Sequence, residues 1–158
     1  MLLDIEASHW INTDQPPSLA SLRGKVVAVT VFQMFCPGCA GSSLPQARNL
    51  DSMFRRDDVA VIGLHSVFEH HQVMTPDALR VFAKEYRLQF PIAVDRPVPG
   101  SSVPATMRKW KLEGTPSLMV FGRDGELALQ HFGHLDDLRL GAALGELIAS
   151  RTNTAEVR

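Results

Sequence analysis

Two cysteines are all that this chain of 158 residues contains. A domain of that length buries roughly 70% of its unfolded surface unaided, so it needs no disulfide framework to fold. Cationic tracts are missing as well: Lys plus Arg is 16 against 17 for Asp plus Glu, and no basic run is longer than Arg55-Arg56. Nucleic acid and anionic membrane are therefore not expected as partners. No segment approaches a membrane-spanning length of about 18 consecutive apolar residues. The N-terminus, M-L-L-D-I-E-A-S-H-W, has acids at Asp4 and Glu6 where a secretory leader has a basic region and then an apolar run. A soluble, cytoplasmic protein is the expectation. Internal repeats and low-complexity tracts are also lacking. What is present, 45% hydrophobic and 21% charged residues, is a globular composition. It reads as one domain over residues 1–150 with a disordered tail over 151–158.

Strand and helix patterns alternate along the chain. Residues 18–24, S-L-A-S-L-R-G, read as a short helix between a Ser start and a Gly stop. Residues 25–32, K-V-V-A-V-T-V-F, form a near-continuous β-branched run, which predicts a central strand buried on both faces. Helical spacing follows from about Pro37 to Phe54, with a kink expected at Pro45, which lacks the backbone donor. Residues 59–64 read as a second apolar strand. Thr75-Pro76 then caps a helix whose apolar face carries Leu79, Phe82, Ala83 and Tyr86. A short strand is expected near 90–94 and a short helix over 103–110. Two strands, 117–121 and 127–132, flank the Asp124-Gly125 turn signal. A final helix begins near Leu135, with Asp136 and Asp137 suited to its positive end. The fold class is α/β, a central mixed sheet of about five strands with helices on both faces.

Both cysteines lie in F-Q-M-F-C-P-G-C-A, residues 32–40, where the buried strand gives way to a helix. Open α/β sheets place reactive groups at such strand ends. With Cys36 as the N-cap, its sulfur can accept from the N–H groups of Gly38 and Cys39, and Pro37 suits the first helical position. Helix-terminus thiols of this kind titrate at about 3.5 to 7.5 rather than about 8.5, which makes Cys36 the expected nucleophile. Cys39, one turn on along the same face, can reach back and resolve a mixed disulfide on Cys36. Zinc would need two further ligands from His65, His70, His71, His131 or His134, and none of these stands at finger spacing near a second cluster. Haem attachment of the c type requires His where Ala40 stands. A structural staple between Cys36 and Cys39 would close a tiny loop, which stabilises least.

On these residues the chain resembles the thioredoxin-like fold, and within it the TlpA-like and redoxin-type thiol-disulfide oxidoreductases, over about Trp10 to Ile148. The resemblance is carried by S-L-A-S-L-R-G-K-V-V-A-V-T-V-F, C-P-G-C, V-A-V-I-G-L-H-S-V, E-G-T-P-S-L-M-V-F and R-D-G-E. Gly114-Thr115-Pro116 follows the cysteines by about 75 residues and precedes a strand, a pairing far more specific than Cys-x-x-Cys alone. The resemblance implies that Pro116 is cis beside the dithiol and that the Thr115 backbone pairs with an extended substrate. It also implies disulfide-bearing protein or small-thiol substrates, an external reductant, and no cofactor beyond the Cys36–Cys39 pair.

Three departures bear on mechanism. Phe35 stands where many relatives have Trp. Thr30 stands where thioredoxin has a buried Asp, and Ser42 where TlpA-like proteins often have Glu, so the usual proton acceptor for the resolving thiol is missing. His65, Glu69 and Glu113 are candidate substitutes, and Met34, Phe35 and Trp110 candidate members of an apolar rim. Two other classes stay open. A peroxiredoxin-like peroxidase would use Cys39, although Cys36 and Phe32 occupy the places of its Thr and Pro and no Arg stands at 115 or 116. A noncatalytic redox-sensing domain would only borrow the scaffold.

Overall fold

The Val26–Phe32 run does become the middle of the sheet. The computed structural model of the protein describes residues 3–150, so the tail expected over 151–158 lies outside the described residues. The elements are β1 (Ala7–Ile11), β2 (Val26–Phe32), a π-helical turn (Cys39–Ser43), α1 (Leu44–Met53), β3 (Val59–His65), α2 (Pro76–Glu85), β4 (Ile92–Asp95), α3 (Ala105–Lys109), β5 (Ser117–Phe121), β6 (Leu127–Phe132) and α4 (Asp137–Ala149). The six strands form one mixed sheet in the order β1-β4-β3-β2-β5-β6. Strands β2, β3 and β4 are parallel, while β1, β5 and β6 run against their neighbours.

All seven residues of β2 are buried, as a strand covered on both faces requires. Alternation along it divides the core. Val26, Ala28 and Phe32 face a cluster with Leu44 and Leu50 of α1, Leu79 of α2, Leu140 and Leu144 of α4, and Cys39. Val27, Val29 and Val31 face a second cluster with Leu19, Trp110 and Phe121. Helices therefore pack on both faces, and both cysteines belong to the first.

Three expectations need correction. The sheet has six strands rather than about five, because β1 pairs with β4 only at the sheet edge, with a register shift between Ala7 and His9. Its polar centre, Ser8-His9, gives no alternating signal. Residues 18–24 form turns rather than a helix: bonds such as Arg23 N–H to Ala20 O span three residues, and Gly24 ends the segment at φ +94°. The Ser18 and Ser21 hydroxyls bond the local main chain instead, an alternative to the helical ladder. The kink expected at Pro45 takes the form of the π-helical turn just before it, in which the Leu44 N–H donates back to Cys39 O. Widening one turn accommodates a ring that would otherwise collide with the carbonyl four residues earlier.

Candidate active site

Phe32 ends β2, and Gln33, Met34 and Phe35 turn the chain so that Cys36 enters the helix. The Cys36 N–H donates to Gln33 O at 3.2 Å, and Cys36 O accepts from Cys39 and Ala40, each at 3.1 Å. The Cys36 sulfur accepts from the Cys39 N–H at 3.3 Å. Of the two donors expected at this cap, Cys39 supplies its N–H and Gly38 makes no such bond. Both thiols are free; Cys36 is half-buried and Cys39 fully buried. Burial, chiefly, and the adjacent Cys36 thiol push the Cys39 thiol up to about 12, against a smaller pull from the Gln33 N–H and the Thr115 side chain.

Thr115 and Pro116, about 75 residues on, come back to this corner. Their peptide bond is cis. The Cys36 sulfur lies 3.6 Å from Thr115 O, to which its thiol donates. A Cβ at Gly38 would lie 3.4 Å from Pro116 Cδ, so the helical start and the Pro116 ring pack directly. Asp95 anchors the start of α3 rather than this segment. Its carboxylate accepts from Ser66 Oγ at 2.8 Å and from the Thr106 and Met107 N–H groups at 2.7 and 3.0 Å, pinning the start of α3 to the ends of β3 and β4.

The rim differs from expectation. Phe35 is 59% exposed, but Met34 and Trp110 are core residues, each 4% exposed. Trp110 packs on the sheet face away from the cysteines, tilted against Phe121, with its indole N–H on Leu3 O. A second exposed ring does stand near the site: Phe132, 53% exposed, against Gly114. Nothing in the alternation of β6 marked it, because its position depends on pairing with Ser117. Trp10 also packs toward the second cluster, so the sheet separates both indoles from the thiols. Oxidising the thiols is accordingly expected to leave intrinsic fluorescence nearly unchanged; a several-fold rise on reduction would contradict this arrangement.

None of the three proton-acceptor candidates touches Cys39. Glu113 is exposed. Glu69 accepts from the Gln33 side-chain amide at 3.2 Å. His65 is buried against Phe32, and its Nε2 accepts from the Met34 N–H at 3.3 Å. Burial lowers its pKa to about 4 from 6.5. Between these two values the unfolded chain binds a proton that the folded chain refuses, so stability falls as pH drops through that window, by about 3 kcal/mol in all. Asp95, pushed upward by burial, acts with the opposite sign above 3.8. Denaturant titrations between pH 7 and pH 4 are expected to show a clearly shallower acid loss for His65→Gln than for the wild type. Equal slopes would remove the imidazole as the cause. Among the described residues, no three His, Cys, Asp or Glu side chains gather to hold a metal ion.

Residues 9–139 match the family model described as Redoxin. The chain belongs to the Redoxin family. This redoxin is 48% identical to a thiol-disulfide isomerase from Corynebacterium glutamicum, with a TM-score of 0.92 over 96% of this chain and 97% of that one. It is 42% identical to a thioredoxin-like superfamily protein, with a TM-score of 0.91 over 94% and 96% of the two chains. A thiol:disulfide interchange protein from Chlorobium tepidum shares the fold at 20% identity and a TM-score of 0.71, over 92% of each chain. None of the curated proteins matches in sequence. The redoxin is thus a thioredoxin-like oxidoreductase.

Proposed function

We propose that this redoxin exchanges disulfides through Cys36 and Cys39, Cys36 attacking and Cys39 resolving. The observation that carries the reading is the asymmetry of two adjacent thiols: Cys36 is half-buried at a helix start beside Thr115, and Cys39 is enclosed one turn behind it. A substrate disulfide meets only the first.

The Cys36 thiolate displaces one substrate sulfur as a thiolate and forms a mixed disulfide. The Cys39 thiolate then attacks the Cys36 sulfur, releases the second substrate thiolate and closes the Cys36–Cys39 disulfide. An external dithiol or thiol reductant reverses the sequence, and no cofactor beyond the pair takes part. The Cys39 proton is held by burial and by the neighbouring Cys36 thiol. Once Cys36 is bonded to substrate, that neighbour neither hydrogen-bonds nor repels a thiolate at Cys39, so the resolving thiol is activated by the first step. The Thr115 main chain, facing Cys36, is the proposed contact for an extended substrate, with Pro116 packed on Gly38, and Phe35 and Phe132 at the rim. Pro37 starts the helix that Cys36 caps.

Substrates in this reading are protein or small-molecule disulfides, consistent with the isomerase named for the Corynebacterium relative. Among the described residues, no helix is long and apolar enough to cross a membrane. In a reducing compartment, such as the cytoplasm expected from the sequence, the pair would run as a reductant. A peroxidase built on Cys39 is opposed by the full burial of that thiol, which peroxide would have to reach as a thiolate. The test is whether a Cys39→Ser protein stops at the mixed disulfide with substrate on Cys36.

A further inference from the structure

Strands β3 and β4 lie side by side and parallel, yet the chain leaves them toward opposite faces of the sheet. From β3 it crosses to α2, whose Leu79 and Ala83 pack in the first cluster. From β4 it crosses to α3, which ends at Trp110 in the second. Where neighbouring connections part in this way a crevice opens beyond the strand ends, and open α/β sheets bind ligands there. Here the crevice measures about 380 Å³.

Its walls are apolar. Val67 and Met74 come from the connection after β3, Val94 from β4 itself, and Pro97, Val98 and Pro104 from the connection after β4. None of Cys36, Cys39, Thr115 and Pro116 lines it, so it is distinct from the dithiol corner. Among the described residues, no Lys, Arg or Glu lines it either. Asp95 is the one carboxylate in the wall; it is 3% exposed, and its oxygens are taken by Ser66, Thr106 and Met107. An anion would meet no Lys or Arg there, and a cation no free carboxylate.

Two exposed imidazoles, His9 and His71, stand at the mouth. His71 Nε2 lies 2.9 Å from Ser102 O, which ties the two connections together across the opening. A carbonyl only accepts, so Nε2 carries the proton and Nδ1 of the neutral ring is left as an acceptor. The volume, about 380 Å³, is roughly two and a half times that of a dry apolar cavity of about 150 Å³ that takes up benzene. Two or three rings therefore fit.

We propose that this crevice is a second binding site of the redoxin, for an uncharged aromatic molecule of two or three rings that bears one N–H or O–H group. The rings lie between Val67 and Val98, and the donor reaches His71 Nδ1. The site stands whether or not the dithiol exchanges disulfides.

The probe is N-phenyl-1-naphthylamine, uncharged, with one N–H and an emission that rises in apolar surroundings. Titrated into the full chain, it is expected to give a saturable rise with one molecule bound per chain. Val98→Arg places a charge in the apolar wall and is expected to weaken binding about tenfold or more. Phe132→Ala, at the exposed rim of the dithiol corner, should leave it unchanged. Absence of a saturable rise overturns the proposal. So does binding that survives in a folded Val98→Arg protein, or that is lost in Phe132→Ala. Should Val98→Arg fail to fold, acylation of the wild-type imidazoles by diethyl pyrocarbonate decides, read by peptide mass. Bound probe is expected to protect His71 and His9 and to leave the exposed His134 reactive; equal labelling of His71 with and without probe overturns the proposal.

Discussion

A Cys39→Ser protein mixed with a disulfide substrate is expected to accumulate as a covalent adduct on Cys36, visible as an added mass that a thiol reductant removes. The first exchange needs only the half-buried Cys36, whose sulfur takes the Cys39 N–H and whose side chain borders Thr115. Serine at 39 retains that N–H and removes the one group able to displace the substrate. Cys36→Ser should lose both adduct and turnover, because the remaining thiol is fully enclosed. A peroxidase using Cys39 would invert the pattern: Cys36→Ser would keep the initial oxidation to a sulfenic acid and Cys39→Ser would lose it. A noncatalytic domain would turn over neither disulfide nor peroxide even as the wild type. An unmodified Cys36 in the Cys39→Ser protein therefore sinks the exchange reading.

Alkylation of the reduced wild type should separate the two thiols by orders of magnitude. With Cys39 raised to about 12 from 9.0, its thiolate at neutral pH is about a thousandfold scarcer than in the unfolded chain, at tenfold per pH unit. Its reaction with a small alkylating agent should climb steadily as pH rises and show no plateau at pH 9. Burial of the sulfur slows it further. The linked effect on folding has the same sign. The folded state keeps this proton after the unfolded state has lost it, so the contribution is intact below pH 9 and is lost as pH rises toward 12. Peptide mapping of the modified cysteine decides: comparable labelling of Cys36 and Cys39 at pH 8 in the folded protein would mean that Cys39 is not enclosed as described.

How far the site was legible depends on the range of the interaction behind each part. Cys36 and Cys39 could be placed because a β-branched run, a Pro at a helix start and a three-residue spacing are all local. Thr115 and Pro116 carried a marker that could be matched to a family, although their contact with Cys36 and Gly38 is made by the sheet. The proton-acceptor candidates failed for the opposite reason. His65, Glu69 and Glu113 were chosen for residue type and rough neighbourhood, and whether a side chain faces a thiol, a peptide N–H or solvent is not a local property. Gln33 attracted no notice for the same reason, since nothing in F-Q-M-F-C says that its amide will meet Phe68 and Glu69 from the next strand's end.

Hydrophobic periodicity and turn chemistry by themselves determined the α/β class, the central place of β2, the capped start of α2 at Thr75, and a last helix starting near Leu135 with acids at its positive end. These follow from forces that act within a few residues: side-chain direction, capping bonds and backbone restriction. Only the tertiary structure decided that Ala7–Ile11 completes the sheet, that the helix carrying Cys39 opens into a π-helical turn before Pro45, and that Trp110 lies across the sheet from the thiols. It also decided that Cys39 is fully enclosed while Cys36 is not. Those outcomes depend on which distant segments are brought into contact, and a fully packed core assigns each side chain one set of neighbours that no short stretch of sequence contains.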